Sequence, residues 1–153
     1  MTASASTTAS STPTTHGKGP VRLIGLLVAI VGALMLVAGA TTWGVVQSQL
    51  AAEKITVSED AARFAGQAVN GPLTAYAEAE VIEKHALEAS KGKTYAELDR
   101  EDPVRAMVMN GSFLRASLFT SVLAFGVSAM AMGLGVLQIL IGLALRRVAS
   151  QRA

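Results

Sequence analysis

His85 is the only histidine in the polar middle of the chain, with Glu88 three residues on and Glu78 seven back. On a helix those spacings bring an imidazole and two carboxylates toward one face, which is the raw material of a metal site or a general base. A metal needs three or four converging ligands, and one imidazole with carboxylates serves zinc poorly. Glu80, Lys84 and Glu88 also form an i, i+4 ladder, so the same stretch reads more simply as a solvated helix surface with His85 beside it. A Ser–His–carboxylate set finds no nucleophile on a recognisable turn. The absence of cysteine removes disulfides, thiolate metal sites and a thiol nucleophile. Eight of the 14 glycines lie inside apolar runs, and no Gly-rich phosphate-binding loop is present in the sequence. Asn110-Gly111-Ser112 fits a glycosylation sequon, a pattern of three residues only. These residues assign no catalytic group, no cofactor and no metal.

The elements that would carry such residues are dominated by two apolar runs. Leu23 to Val46 holds no charge and, at ~1.5 Å per helical residue, covers the roughly 30 Å of a hydrocarbon core. Trp43 near its end suits an interface. Ala38-Gly39-Ala40 has the form of a signal-peptide cleavage site, but the apolar run continues past it, which favours a span. Ala116 to Leu145 is a second run without charge, longer than a perpendicular crossing requires, so it must tilt or project beyond the bilayer. The expected organisation is a disordered Ser/Thr-rich tail over 1–20 and a transmembrane helix over 21–46. A polar, mostly helical extracytoplasmic region over 47–115 follows, then a second transmembrane helix over 116–145 and a basic tail over 146–153. The fold class is therefore an all-α membrane protein, a two-helix hairpin.

Within 47–115, Asn70-Gly71-Pro72 is a break, Leu73 to Ser90 a helix, and Lys91-Gly92-Lys93 its stop. Thr94 and Glu97 have capping-box spacing, and Asp102-Pro103 suits a further helix start. Gln47 to Lys54 could extend the first span. Ile55-Thr56-Val57 hints at a strand, and Asn110-Gly111 at a kink or short break. With four aromatics and no disulfide, a region of this size has too little core to stand alone. It should lean on extensions of the spans, on headgroups or on a partner.

Charge sets the expected orientation. All 11 acidic residues lie between the runs, whereas Lys18 and Arg22 precede the first and Arg146, Arg147 and Arg152 follow the second. Basic residues next to spans mark the cytoplasmic side, so both termini are expected inside the plasma membrane and the loop outside. A net charge of +2 with no basic stripe excludes nucleic acid as a partner.

The second run is rich in small residues at alternating spacings of four and three: Ser117, Ser121, Ala124, Ser128, Ala131, Gly135, Gln138 and Gly142. The first carries Gly25, Ala29, Gly32 and Gly39. In lipid the hydrophobic drive between helices is absent, and small residues permit close packing instead. These twelve residues are the expected packing seam, with Gln138 as a candidate hydrogen-bonding group across it. The 3.5-residue period implies a left-handed crossing, between the two spans or toward another subunit.

TTWGVVQSQL, ITVSEDA, HALEASKGKTYAELDREDPVRA and SFLRASLFTS resemble a family of small two-span membrane proteins from actinobacteria. The likeness runs from about Leu23 to Leu145. Members of that family often carry the label "aromatic ring-opening dioxygenase", after the small subunit of protocatechuate-type extradiol enzymes, and the resemblance brings no catalytic residues with it. A non-haem iron oxygenase needs two histidines and a carboxylate on one metal face. Here His16 and His85 are expected on opposite sides of the membrane. That small subunit does not bind the iron, but it belongs to a soluble enzyme, so two spans speak against the label. The expected role is non-enzymatic, through contact with the bilayer and with a membrane-protein partner or a second copy, as an accessory or assembly subunit. A ring-opening enzyme subunit and an envelope sensor with a ligand-binding loop are the alternatives.

Overall fold

The computed structural model describes residues 18–151, which fold entirely around helices: α1 (Lys18–Ala52), α2 (Pro72–Ala89), a short 3-10 turn (Tyr95–Glu97) and α3 (Arg105–Gln151). The tail ahead of Lys18, with His16, and the last two residues, with Arg152, lie outside the described residues. Both α1 and α3 are long and apolar enough to cross a membrane. Each outruns its uncharged stretch. Helix α1 begins at Lys18 and continues through Ala52, so Gln47 to Ala52 is helical extension, and α3 keeps its helix through Arg146 and Arg147.

Helices α1 and α3 run antiparallel with a fixed register. Gly25 meets Gly142, Gly32 meets Gly135, and Gly39 meets the Ser128–Met132 turn. Continued upward, that register sets Val46 opposite Ser121. Leu23–Val46 therefore spans the same height as 121–144, and Ala116 to Thr120 of α3 stand level with Gln47 to Ala51, the more polar end of α1. Of those five α3 residues, Leu118 and Phe119 turn into a core at the α2 end of the molecule, where Leu118 is buried with Leu50, Val57, Val69, Phe125 and the alanines of α2, while Ala116, Ser117 and Thr120 are exposed. The upper end of the second apolar run thus contributes Leu118 and Phe119 to the cap.

The cap is held by local chemistry legible in the residues around it. Pro72 occupies the first turn of α2, where its missing N–H leaves nothing unsatisfied. The Thr74 hydroxyl oxygen accepts from the Gly71 N–H (3.2 Å). At the far end, the Lys91 N–H bonds the Glu88 carbonyl and the Gly92 N–H reaches back to the Leu87 carbonyl (2.7 Å). This is the crossed pair of bonds that closes a helix, with both residues at positive φ, 55° for Lys91 and 83° for Gly92. The left-handed turn thus starts one residue before the glycine, on a lysine. Thr94 and Glu97 form their capping box, Glu97 Oε2 accepting from the Thr94 N–H and hydroxyl at 2.8 Å each. These bonds hold the Glu97 carboxyl below its usual pKa, the backbone N–H first. Asp102 Oδ1 accepts from the Val104 N–H (2.9 Å) and caps the turn that becomes α3.

Two expectations need correction. Asn110-Gly111 does not break the chain: α3 is continuous there, because the face of Gly111 rests against Ile82 and Ala86, and packing overrides glycine's weak helix propensity. Ile55-Thr56-Val57 forms no ladder, only a single antiparallel bridge from Thr56 to Ala68. The Val57 N–H bonds the Gln67 carbonyl and the Val69 N–H the Ile55 carbonyl, at 2.8 Å each, which turns both valines into the core. One carboxylate joins that core. Glu78 is buried, and its oxygens accept from the Ser58 N–H (2.8 Å) and hydroxyl (3.2 Å). A buried carboxylate without such donors would be strongly destabilising.

Candidate functional site

The helix pair is the most distinctive arrangement in the molecule. A Cβ built on Gly32 would stand 2.6 Å from the Gly135 carbonyl oxygen, one on Gly135 2.6 Å from the Gly32 carbonyl, and one on Gly25 2.8 Å from the Gly142 carbonyl. On Gly142 it would collide with the Gly25 carbonyl and Ala29, and on Gly39 with the Ser128 carbonyl and the Met132 side chain. Only glycine lets the backbones come this close. Ser128 is 2 % exposed and turns its hydroxyl onto the Ala124 carbonyl of its own helix (2.7 Å), so it meets α1 with no polar group unpaired.

The sequence-derived seam residues do not all share this contact. Gly25, Gly32, Gly39, Ser128, Gly135 and Gly142 are buried in it, and Ala29, Ser121, Ala124, Ala131 and Gln138 flank it half-buried. Ser117 is exposed instead and lines a shallow groove with Val46, Gln49 and Leu50. There the contact passes to Leu118 and Phe125, seven residues apart, and the Phe125 ring meets Trp43 edge-on with centroids 4.7 Å apart. These two bulky residues fall outside the small-residue pattern, although they stand at the same heptad spacing. Gln138 makes no bond across the seam: its Oε1 is buried with no hydrogen-bond partner among the described residues.

The histidine has a different setting from the one its helix face implies. Asp60 Oδ2 lies 2.8 Å from Lys84 Nζ and 3.0 Å from His85 Nε2, fastening the 58–64 turn to α2. The Lys84 hydrogen bond, then that of His85, lowers the Asp60 pKa to about 2, and Asp60 in return raises that of Lys84. Lys84 therefore serves the turn and not a ladder along α2. Asp60 shares its oxygen with an ammonium, and Glu78 is bound to Ser58, so the set around His85 does not fit a facial triad for iron. Among the described residues no three imidazole or carboxylate groups come together as a metal site would require.

Beside the Asp60 turn lies an open cleft of about 540 Å³, with Phe64, Leu73 and Tyr76 as its apolar lining and Arg63, Glu80 and Lys84 as its charged groups. On the other flank of α2, Arg115 bonds Glu83 (2.7 Å) and lies over the Phe119 ring, while Arg105 covers Tyr95 and donates to the Leu98 carbonyl. These pairs tie the cap to α3. Compared with known protein families, curated proteins and solved structures, the chain matches none.

Proposed function

We propose that this protein is a two-span integral membrane protein, with its termini in the cytoplasm and its cap outside, which acts through contact with a membrane-protein partner or a second copy and not by catalysis. Support for the orientation comes from charge. Arg22 and Arg146 come together at one end, while every described acidic residue lies beyond the apolar runs at the other.

The observation that carries an interaction role is the apolar face of α3 above the matched apolar lengths. Phe113 and Leu114 are 65 % and 54 % exposed. They sit eight and seven residues above Ser121, hence about 10–12 Å beyond the level where the apolar run of α1 ends. Side chains facing lipid need no cover, but these two are outside that zone, and bulky neighbouring apolar groups facing water mark a contact surface. The glycine seam, by contrast, is occupied within the chain and is not free for a partner. The resemblance to the actinobacterial two-span family agrees with this reading, and its ring-opening label does not.

Purification in a mild detergent followed by mass measurement of the intact assembly tests the proposal. A species heavier than one chain, reduced to the monomer by Phe113→Ser with Leu114→Ser, is expected. A lone monomer before any substitution would overturn it.

A further inference from the structure

The cleft beside the Asp60 turn sits at a particular height. Helix α2 runs antiparallel to the upper part of α3: Ala86 and Ile82 lie against Gly111, Glu83 against Arg115, and Tyr76 against Phe119, ring centroids 5.6 Å apart. One turn further down α2, Leu73 reaches the level of Val122, which the register sets beside Val45, where the apolar run of α1 gives way to Gln47-Ser48-Gln49. In the membrane reading, on which this inference rests, that level is the boundary between headgroups and acyl chains. Leu73 is 67 % exposed and Tyr76 45 %, so apolar groups line a cleft that opens at this height.

The charges of the cleft divide unequally. Lys84 and Asp60 hold each other, which leaves Arg63 and Glu80 without an ion-pair partner among the described residues. A guanidinium offers paired N–H donors suited to phosphate, and a carboxylate accepts from a primary ammonium. Phe64 holds φ at +62°, a left-handed conformation that is costly for a bulky residue, and its half-buried ring forms part of the lining. We infer that this cleft binds a phospholipid whose headgroup carries both a phosphate and a primary ammonium, with Arg63 on the phosphate, Glu80 on the ammonium, and the acyl chains along Leu73 and Tyr76. A quaternary choline headgroup has no N–H to give Glu80 and binds less well.

The full chain, in lipid–detergent micelles holding equal phosphatidylethanolamine, phosphatidylcholine and phosphatidylglycerol, is to be read by native mass spectrometry. Phosphatidylethanolamine should be retained on the order of tenfold over the other two, as a charge-assisted bond implies. Arg63→Ala should lower that retention about tenfold, and Glu80→Gln should equalise phosphatidylethanolamine and phosphatidylcholine. Circular dichroism would check that both variants keep their helix. Equal retention of the three lipids, or variants indistinguishable from the parent, would overturn the inference. Glycerophosphoethanolamine, which lacks chains, should compete poorly; competition equal to the whole lipid would mean a soluble phosphoamine is the occupant and the lipid assignment is wrong. Alkaline carbonate washing of membranes separates the two levels. Protein that stays in the pellet without lipid preference defeats only this inference, whereas protein released to the supernatant defeats the membrane reading beneath it.

Discussion

The lower and upper halves of the α1–α3 pair solve the same packing problem by opposite means. Below, glycines at 25, 32, 135 and 142 bring backbone against backbone, and the contact contains almost no side-chain volume. Above, Trp43, Leu50, Leu118 and Phe125 fill the space, and α2 with its preceding loop closes over them. The lower half borders apolar faces, and in the proposed membrane setting its association depends on close approach and not on escape from water. The upper half borders the polar cap, where bulky groups gain from burial in the usual way. On the proposed membrane reading, a change of solvent and not a change of fold accounts for the switch from the smallest residues to the largest.

Substitutions can break this contrast. Phe125→Ala should have the largest effect, about 4 kcal/mol, because Phe125 is 1 % exposed and the cap cannot collapse around the lost ring. Trp43 is the only tryptophan and touches that ring, so its fluorescence during denaturant titration in micelles reports the loss directly. If the midpoint does not move, the upper half is not a packed core. Gly135→Ile should cost about 3 kcal/mol by overpacking, since even a Cβ meets the Gly32 carbonyl. The chain has no cysteine of its own, so a Leu36→Cys, Ala131→Cys pair across the seam can be followed by disulfide yield. A high yield should fall sharply with isoleucine present; an unchanged yield would dissolve the seam.

A substitution of opposite sign sharpens the comparison. Gln138→Leu should stabilise the lower half by about 1 kcal/mol, because it removes a buried oxygen with no donor and keeps the volume. A destabilised variant would mean the amide has a partner in another subunit. The smallest effect expected is from pH. The lowered Asp60 pKa means its clamp on α2 is fully present above the ordinary 3.8 and is lost as pH falls through about 2. Lys84, raised by the same contact, contributes fully below its ordinary 10.5 and loses that contribution only as pH rises beyond it. Asp60→Asn should abolish the acid limb and leave the Trp43–Phe125 contact untouched, which amide exchange in the 58–64 turn against that in α1 would separate.

How much of this could be read from residues alone follows from the physics at each place. Two long apolar helices were legible, since absence of charge over such lengths has few other meanings. The ends of α2 and the Thr94–Glu97 box were legible because caps are local chemistry between near neighbours. Asn110-Gly111 was misleading because its helix is held by Ile82 and Ala86, which are remote in sequence. Ser117 follows the small-residue spacing yet faces outward, because above Ser121 the cap and not the seam determines what α3 contacts. Asp60 and the Arg63–Glu80 cleft left no signal at all: their meaning comes from a loop folding back onto a helix about twenty residues later.

The evenly repeated seam has an ambiguity built into it. Its teeth recur every seven residues on both helices, so sliding one rod by a single heptad, roughly 10 Å, would bring Gly25 to Gly135 and Gly32 to Ser128 with similar ease. Nothing in a uniform ruler says which mark is zero. That origin is supplied at the other end, where one indole and one phenyl ring have a single place to meet, and the lid thereby acts as the detent that stops the slide.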